Sequence, residues 1–238
     1  MKDLIEGFGR VSTHAGMLKD NERVSKYASA IKKIVQPGDV VADIGAGSGV
    51  LSAIAAQCGA KKVFAVEAGA MAEFASRIIK DNSLEAIVKV IRIDARDVEF
   101  EEQPDVIVSE TLGNCGFDEG IDGLLQTVAR RCKQDVKIIP LSYRVVTSLL
   151  MDDDIHTMVD NLNDVEGVCF STLIDHIANS PLVSRIKPGE VVSEPGFHTS
   201  TLLAHDGTQS QFDFEMIILG DCTVNAVGCW FDAILAPG

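Results

Sequence analysis

The pattern of hydrophobic and polar positions changes at about residue 140. Before it, short apolar runs alternate with segments whose apolar residues recur at helical spacing. This alternation is typical of a doubly wound, Rossmann-like α/β domain on a parallel sheet. The runs predict strands at 40–43, 63–67, 88–93, 105–109 and 136–139, and the periodic segments predict helices at 50–56, 70–80 and 121–133.

Two further helical patterns precede the first predicted strand. Residues 12–35 predict one long helix or a pair of helices, and residues 2–10 predict a short amphipathic helix. A Pro-Gly pair at 37–38 separates both from the strand. We therefore expect a first domain over residues 1–140 that begins with helices.

After Pro140 the pattern becomes mostly β. Helical spacing there is confined to residues 153–178, so we expect a smaller β-rich domain over 141–238 with a helical insertion. The chain stops directly after a predicted strand, whose edge would need a cover. We therefore expect this domain to be truncated or unusually short. Its predicted strands are at 145–151, 199–204, 212–220 and 224–236.

The charge of the chain limits its classes of partner. The net charge is −14 and the sequence pI is about 4.7. This argues against a nucleic acid, because phosphate binding requires a basic surface. A negative surface would attract a basic protein or an amine, and it is equally consistent with solubility alone.

The sequence also indicates a compartment. No apolar stretch reaches the roughly twenty residues of a membrane span, and the first ten residues lack the apolar run of a signal peptide. The six cysteines show no C-x-x-C spacing, which argues against a zinc site. We expect reduced thiols, no bound metal, no membrane partner and a cytoplasmic location.

A glycine-rich turn follows the first predicted strand. Asp43 ends the strand, and Gly45, Gly47 and Gly49 follow at two-residue steps before a helix. This G-x-G-x-G spacing differs from the G-x-G-x-x-G of dinucleotide-binding folds, and it lacks the Gly-Lys-Ser/Thr of a phosphate loop. Glycines let a ligand approach the backbone closely. Glu67, at the end of the next strand, could accept hydrogen bonds from both hydroxyls of a ribose.

Together these features resemble the class I methyltransferases, which use S-adenosyl-L-methionine (SAM). Two other stretches narrow the resemblance. The pattern H-x-x-M-L-x-D-x-x-R at 14–23, followed by Tyr27, is similar to a helix of the protein arginine methyltransferases. The pattern S-E-x-x-G at 109–113, with Glu119 nine residues after Glu110, is similar to their double-glutamate loop.

The resemblance implies a SAM site, with S-adenosyl-L-homocysteine as the product. Arg23 would pair with the SAM carboxylate, and Met17 would pack near the sulfonium. Asp43 and Gly45 would shape the pocket for the methionine part of SAM, and Glu67 would hold the ribose. Asp94 and Ala95 would contact the adenine. Gly47 and Glu110 would also bind the cofactor.

The resemblance also implies that Glu110 and Glu119 are catalytic. A guanidinium group is charged at physiological pH, and two carboxylates can grip it in its plane. They would localise its positive charge away from the attacking nitrogen and hold that nitrogen near the methyl group. The implied reaction is N-methylation of a guanidine or amine on a protein or a small molecule.

The chain departs from the family pattern in ways that leave alternatives open. One alternative is a small-molecule O-, N- or C-methyltransferase, and another is a non-catalytic SAM-binding scaffold protein. A substrate-binding role for the second domain and a homodimer through residues 153–178 are further implications. The family's late Thr-His-Trp loop has no counterpart, and single departures lie at Phe8, Ala15, Gly16, Arg96, Thr111 and Asn114.

Overall fold

The structure of the protein is a computed structural model that describes residues 11–203, 213 and 215–237. The helix predicted at 2–10, together with Phe8, lies outside the described residues. The chain divides into two compact units. The first contains the described residues up to Tyr143 and short segments that begin at Ser200 and Ala233. The second contains Arg144–Thr199 and the described residues between 209 and 232.

A five-stranded parallel sheet forms the centre of the first unit, in the order β3-β2-β1-β4-β5. All residues of β1 and β4 are buried, because their apolar runs are covered on both faces. The doubly wound fold is therefore confirmed. The strands are β1 (Val40–Ile44), β2 (Lys62–Val66), β3 (Val88–Ile91), β4 (Val106–Ser109) and β5 (Lys137–Ile139).

Among the described residues, five helices accompany this sheet, and the segment at 12–35 is a pair of helices. Asp20 separates the pair, because its carboxylate accepts a hydrogen bond of 3.1 Å from the backbone N–H of Arg23 and so caps the second helix. The helices are α1 (Val11–Lys19), α2 (Asn21–Ile34), α3 (Val50–Gln57), α4 (Met71–Asp81) and α5 (Ile121–Ala129).

The core of the first unit explains the position of α2. Tyr27 and Ile31 lie one turn apart on this helix, and both belong to the buried core that also contains the sheet residues Val41 and Val106. The Tyr27 hydroxyl is buried as well and donates a hydrogen bond of 3.1 Å to the carbonyl of Ser109, the last residue of β4. Packing and this hydrogen bond therefore help to fix α2 against the carboxyl end of β4.

The second unit is built on a three-stranded sheet in the order β7-β6-β8. The insertion at 153–178 forms two helices, neither of which has a buried residue. The elements are β6 (Ser142–Leu150), α6 (Asp153–Asn163), α7 (Ser171–Ala178), β7 (Gly196–Thr201) and β8 (Ala226–Ile234).

The strand predicted at 212–220 is wrong for the described residues of that segment. They form only an isolated bridge, between Ser193 and Ile218. Ile217, Ile218 and Leu219 are 63%, 48% and 55% exposed. A continuous apolar run indicates a strand only where neighbours cover both of its faces, and these side chains lack such cover.

The Tyr27 hydroxyl gives a test of this packing. Tyr27→Phe keeps the buried ring and leaves the Ser109 carbonyl without that donor. We expect the free energy of unfolding to fall by about 1–3 kcal/mol, the cost of leaving a buried polar group unpaired. Urea denaturation of the two proteins measures the difference. An unchanged free energy of unfolding would show that the hydroxyl does not stabilise the fold.

Candidate active site

A cavity of about 540 Å³ lies where β1, β2 and β4 end. In an open α/β sheet a ligand binds beyond the carboxyl ends of the strands, where neighbouring connections leave in opposite directions. The structure brings nine of the ten predicted site residues to the lining of this cavity. They are Met17, Arg23, Gly45, Gly47, Glu67, Asp94, Ala95, Glu110 and Glu119.

The glycine turn is held against the end of β2. The backbone N–H groups of Gly45 and Ala46 donate to the Val66 carbonyl at 2.9 and 3.0 Å. Gly45 and Gly47 have φ values of +72° and +53°. A Cβ atom on Gly45 would lie 2.6 Å from the Thr111 methyl group, and one on Gly47 would lie 2.7 Å from the His14 ring. The close approach of these segments therefore depends on glycine.

The carboxylate of Glu67 has a fixed orientation at the end of β2. One of its oxygens accepts a hydrogen bond from the N–H of Gly47 at 2.9 Å, and the other accepts one from the N–H of Gly69 at 2.6 Å. Each carboxylate oxygen has capacity for a further donor. Glu67 can therefore present an oriented pair of acceptors to two neighbouring hydroxyl groups.

Asp43 is the predicted site residue that does not line the cavity. It is 1% exposed, and one carboxylate oxygen accepts a hydrogen bond of 2.6 Å from the Ser52 hydroxyl on α3. The other oxygen, Oδ1, has no hydrogen-bond partner in the described part of the chain. Burial raises the pKa of Asp43 to about 6. The residue thus contacts the helix behind the glycine turn.

Helix α2 contacts the start of the predicted double-glutamate loop through Arg23. Its Nη1 atom lies 3.1 Å from Oε1 of Glu110, and its Nε atom lies 3.4 Å from Asp20. One turn later, Tyr27 bonds the carbonyl that precedes Glu110. The same helix therefore holds the side chain of Glu110 and the backbone before it.

The two glutamates have different surroundings. Burial raises the pKa of Glu110, and the neighbouring Arg23 guanidinium partly offsets this effect. Burial also raises the pKa of Glu119 to about 7, with further contributions from the negative charges of Glu110 and Asp118. No hydrogen bond or ion pair joins Glu119 to another described residue. Glu119 is therefore available to a cationic group.

The predicted adenine segment lies on a short 3₁₀ turn after β3. Asp94 accepts a hydrogen bond of 2.9 Å from the N–H of Arg96, and its other oxygen lies 3.1 Å from the Arg96 guanidinium. Ala95 is buried, whereas both charged side chains are about half exposed. Arg96 thus joins Asp94 at the edge of the cavity.

Among the residues of the lining that the sequence does not predict, two bear on the chemistry of the site, His14 and Asp118. His14 belongs to the predicted helix motif, but the motif assigned it no role in the site. The structure places its ring against Gly47. Asp118 accepts hydrogen bonds from two backbone N–H groups of the loop. The sequence feature that could have indicated this role is the position of Asp118 shortly after Gly113 and Gly116, because such a composition is typical of a tight turn.

Comparison with known proteins finds similar methyltransferases. A family model described as ribosomal protein L11 methyltransferase (PrmA) matches residues 27–142. A probable histone-arginine methyltransferase CARM1 of Oryza sativa subsp. indica is 29% identical over 95% of this chain and 46% of its own. A probable protein arginine N-methyltransferase 6.1 of the same plant is 34% identical over 71% of this chain and 46% of its own.

A solved structure extends the comparison to the fold. The Trypanosoma brucei PRMT1 enzyme-prozyme heterotetrameric complex with AdoHcy matches with a TM-score of 0.76 and 26% identity. The match covers 84% of this chain and 64% of the other. This chain is similar to the protein arginine methyltransferases. The resemblance inferred from its motifs is therefore confirmed.

The similarity covers only part of the length of the relatives. The chain spans about half the length of the curated relatives that it matches, 46% in both plant proteins. In the described part of the chain, no helix combines the length and apolar character that a membrane crossing would require.

The pKa of Asp43 predicts a pH dependence of stability. The carboxyl group has a pKa of about 6 in the folded chain and an ordinary value of 3.8. The folded state therefore binds the proton more tightly, so the stability contributed by this group is present below pH 4 and is lost as the pH rises through 6. The loss amounts to about 3 kcal/mol, at about 1.4 kcal/mol for each unit of pKa.

Asp43→Asn removes this titration. We expect the variant to gain about 3 kcal/mol relative to the wild type between pH 4 and pH 7, measured by chemical denaturation across that range. Ser52→Ala should have the opposite effect and steepen the wild-type decline, because it removes a hydrogen bond that lowers the pKa of Asp43. A constant difference between Asp43→Asn and the wild type would contradict the assignment.

Proposed function

We propose that this chain is a SAM-dependent methyltransferase that methylates the nitrogen of an arginine guanidinium or a related amine. The observation that carries the proposal is the pair of partly buried glutamates, Glu110 and Glu119, on the lining of a cavity that also contains the glycine turn and Glu67. The similarity to protein arginine methyltransferases supports the same reaction.

The residues of the cavity fit the cofactor. Gly45 and Gly47 leave room beside the backbone that a Cβ atom would fill. Glu67 would accept the ribose hydroxyls, Arg23 would pair with the cofactor carboxylate, and Asp94 with Ala95 would meet the adenine. Met17 would pack beside the sulfonium. When bound, SAM supplies an electrophilic methyl group on that sulfonium.

The two glutamates would perform different tasks on the acceptor. Glu110 is already oriented by Arg23, so it offers a fixed carboxylate. Glu119 has no such partner, and with a pKa of about 7 it is partly protonated at neutral pH. A guanidinium placed between them would favour the ionised form of Glu119. The chain would thereby orient the attacking nitrogen and stabilise the positive charge on the rest of the group.

A small-molecule acceptor is the second candidate. Thr111 and Asn114 line the cavity at positions where the family has Trp and Tyr. Small polar side chains there would enclose an acceptor less tightly than aromatic rings. A radiolabelled methyl-transfer screen against arginine-rich peptides and small amines separates the two acceptor classes.

The remaining expectations stay predictions. They are a second domain that binds substrate, a protein acceptor, the absence of a nucleic-acid partner, a cytoplasmic location and a homodimer. The exposed faces of α6 and α7 support a homodimer, since neither helix has a buried residue and Leu173 on α7 is 47% exposed.

Arg23 provides the test of cofactor binding. Arg23→Ala should weaken SAM binding by about 1.5–3 kcal/mol, the scale of a hydrogen bond to a charged group. Arg23→Lys should recover part of this, because a point charge cannot replace the guanidinium fork. Isothermal titration calorimetry measures both, with the exposed Arg77→Ala as a control that keeps wild-type affinity. Unchanged affinity in Arg23→Ala would remove Arg23 from the cofactor site.

The glutamates provide the test of catalysis. Glu110→Gln and Glu119→Gln should each lose about a hundredfold in kcat, as expected when electrostatic stabilisation of the transition state is removed. Glu119→Gln should also keep SAM affinity, because Glu119 is not one of the predicted cofactor contacts. The double variant should be little worse than either single one, because groups that act as a unit are not additive. Steady-state kinetics with an unmethylated arginine-containing peptide as the acceptor measures this.

The same kinetics should show a pH signature. The KM of a cationic acceptor should fall as the pH rises through about 7, where Glu119 ionises, and Glu119→Gln should remove that change. The exposed Glu85→Gln is the control and should behave as the wild type. Normal turnover in both active-site variants would contradict the catalytic assignment.

A further inference from the structure

Asp118 closes the loop between the two glutamates onto itself. Its Oδ2 atom accepts a hydrogen bond of 3.0 Å from the N–H of Asn114, and its Oδ1 atom accepts one of 2.8 Å from the N–H of Cys115. Both carboxylate oxygens are therefore directed back to the middle of the loop. Aspartate commonly forms such side-chain contacts to nearby backbone in turns.

The chain makes room for this carboxylate at Gly113. A Cβ atom on Gly113 would lie 2.4 Å from Oδ1 and 2.6 Å from Oδ2 of Asp118. Gly113 also has a φ of +66°, which favours glycine. The side chain of Asp118 and the backbone of Gly113 thus occupy adjoining space, and the loop depends on both.

The two ends of the loop are held in different ways. Arg23 and Tyr27 fix Glu110 from outside the loop. Glu119 has no side-chain partner among the described residues, but it directly follows Asp118. The position of Glu119 therefore depends on backbone that Asp118 ties to Asn114 and Cys115.

We propose that Asp118 is a positioning residue that fixes Glu119 opposite Glu110 by closing the loop between them. This proposal rests on the proposed function, because it assigns Asp118 a task for the same pair of glutamates. Asp118 acts through the backbone. It differs from both glutamates because each of its oxygens accepts a hydrogen bond from a backbone N–H of the same loop.

The test compares Asp118→Ala with Asp118→Asn. Hydrogen–deuterium exchange should show faster exchange of the Asn114 and Cys115 amides in the alanine variant, by about tenfold or more if each loses a hydrogen bond of about 1.4 kcal/mol. SAM affinity should stay within about twofold of the wild type, since the cofactor contacts of Glu67 and Arg23 remain. Preserved affinity also shows that the variant folds.

Kinetics supplies the readout that separates positioning from general stability. Asp118→Ala should lower kcat by about tenfold to a hundredfold, the effect of misplacing a catalytic group by about an ångström. Asp118→Asn keeps one acceptor oxygen and should recover part of both kcat and amide protection. The matched control is Asp164→Ala, because Asp164 accepts a backbone hydrogen bond of 2.7 Å from Gly167 in an exposed turn of the second unit. It should leave SAM affinity and kcat unchanged.

Two results would overturn the proposal, and both can be told apart from a failure of the proposed function. Unchanged exchange of both amides in Asp118→Ala would show that the carboxylate does not close the loop. Faster exchange with unchanged kcat would show that closure does not position Glu119. If the wild-type chain transfers no methyl group to any acceptor, the proposed function fails, and the exchange measurement alone then decides whether Asp118 closes the loop.

Discussion

The alignment of the carboxyl ends of β1, β2 and β4 is the constraint on which the site depends. The parallel register places Asp43 beside Ala65 and Val108, and Ile44 beside Val66 and Ser109, so the three strands end together. Ser109 strengthens this alignment, because its hydroxyl donates a hydrogen bond of 2.9 Å to the Ile44 carbonyl. The residues that follow each strand must therefore meet at one place.

The charges at that place explain why a cation suits it. Burial removes water from the carboxylates of Asp43, Glu110 and Glu119 and thereby raises the pKa of each. Other groups must therefore stabilise the ionised forms. Ser52 bonds Asp43, and Arg23 bonds Glu110. Glu119 instead lies beside two other acids. An entering guanidinium or amine would supply the missing positive charge, which is the physical basis of the proposed acceptor.

Hydrogen bonds between neighbouring segments and within one loop determine the finer geometry. Glu67 is oriented by N–H groups on either side of it, from Gly47 and Gly69. The double-glutamate loop is fixed from outside by α2 at one end and from within by Asp118 at the other. The site therefore combines long-range packing with local turn chemistry.

The sequence by itself determined the parallel sheet and most of the site. A strand, a glycine turn and a helix follow one another at a spacing that is visible in the sequence. The residues at the carboxyl ends of neighbouring parallel strands lie at the same edge of the sheet. The helices at 71–81 and 121–129 were likewise predicted from local periodicity, whereas residues 12–35 were predicted as one long helix or a pair of helices. These features depend on neighbours in the sequence, so the sequence contains their signal.

Only the tertiary structure decided the rest, because burial and pairing are properties of distant segments. The run at 212–220 has the composition of a strand, yet its described apolar side chains are exposed and form a single bridge. Asp43 lies behind the cavity wall because α3 folds back over it with Ser52. Arg23 reaches Glu110 across 87 residues. The contacts of Asp118 required the loop to close, since no periodicity marks which N–H groups a carboxylate will bond.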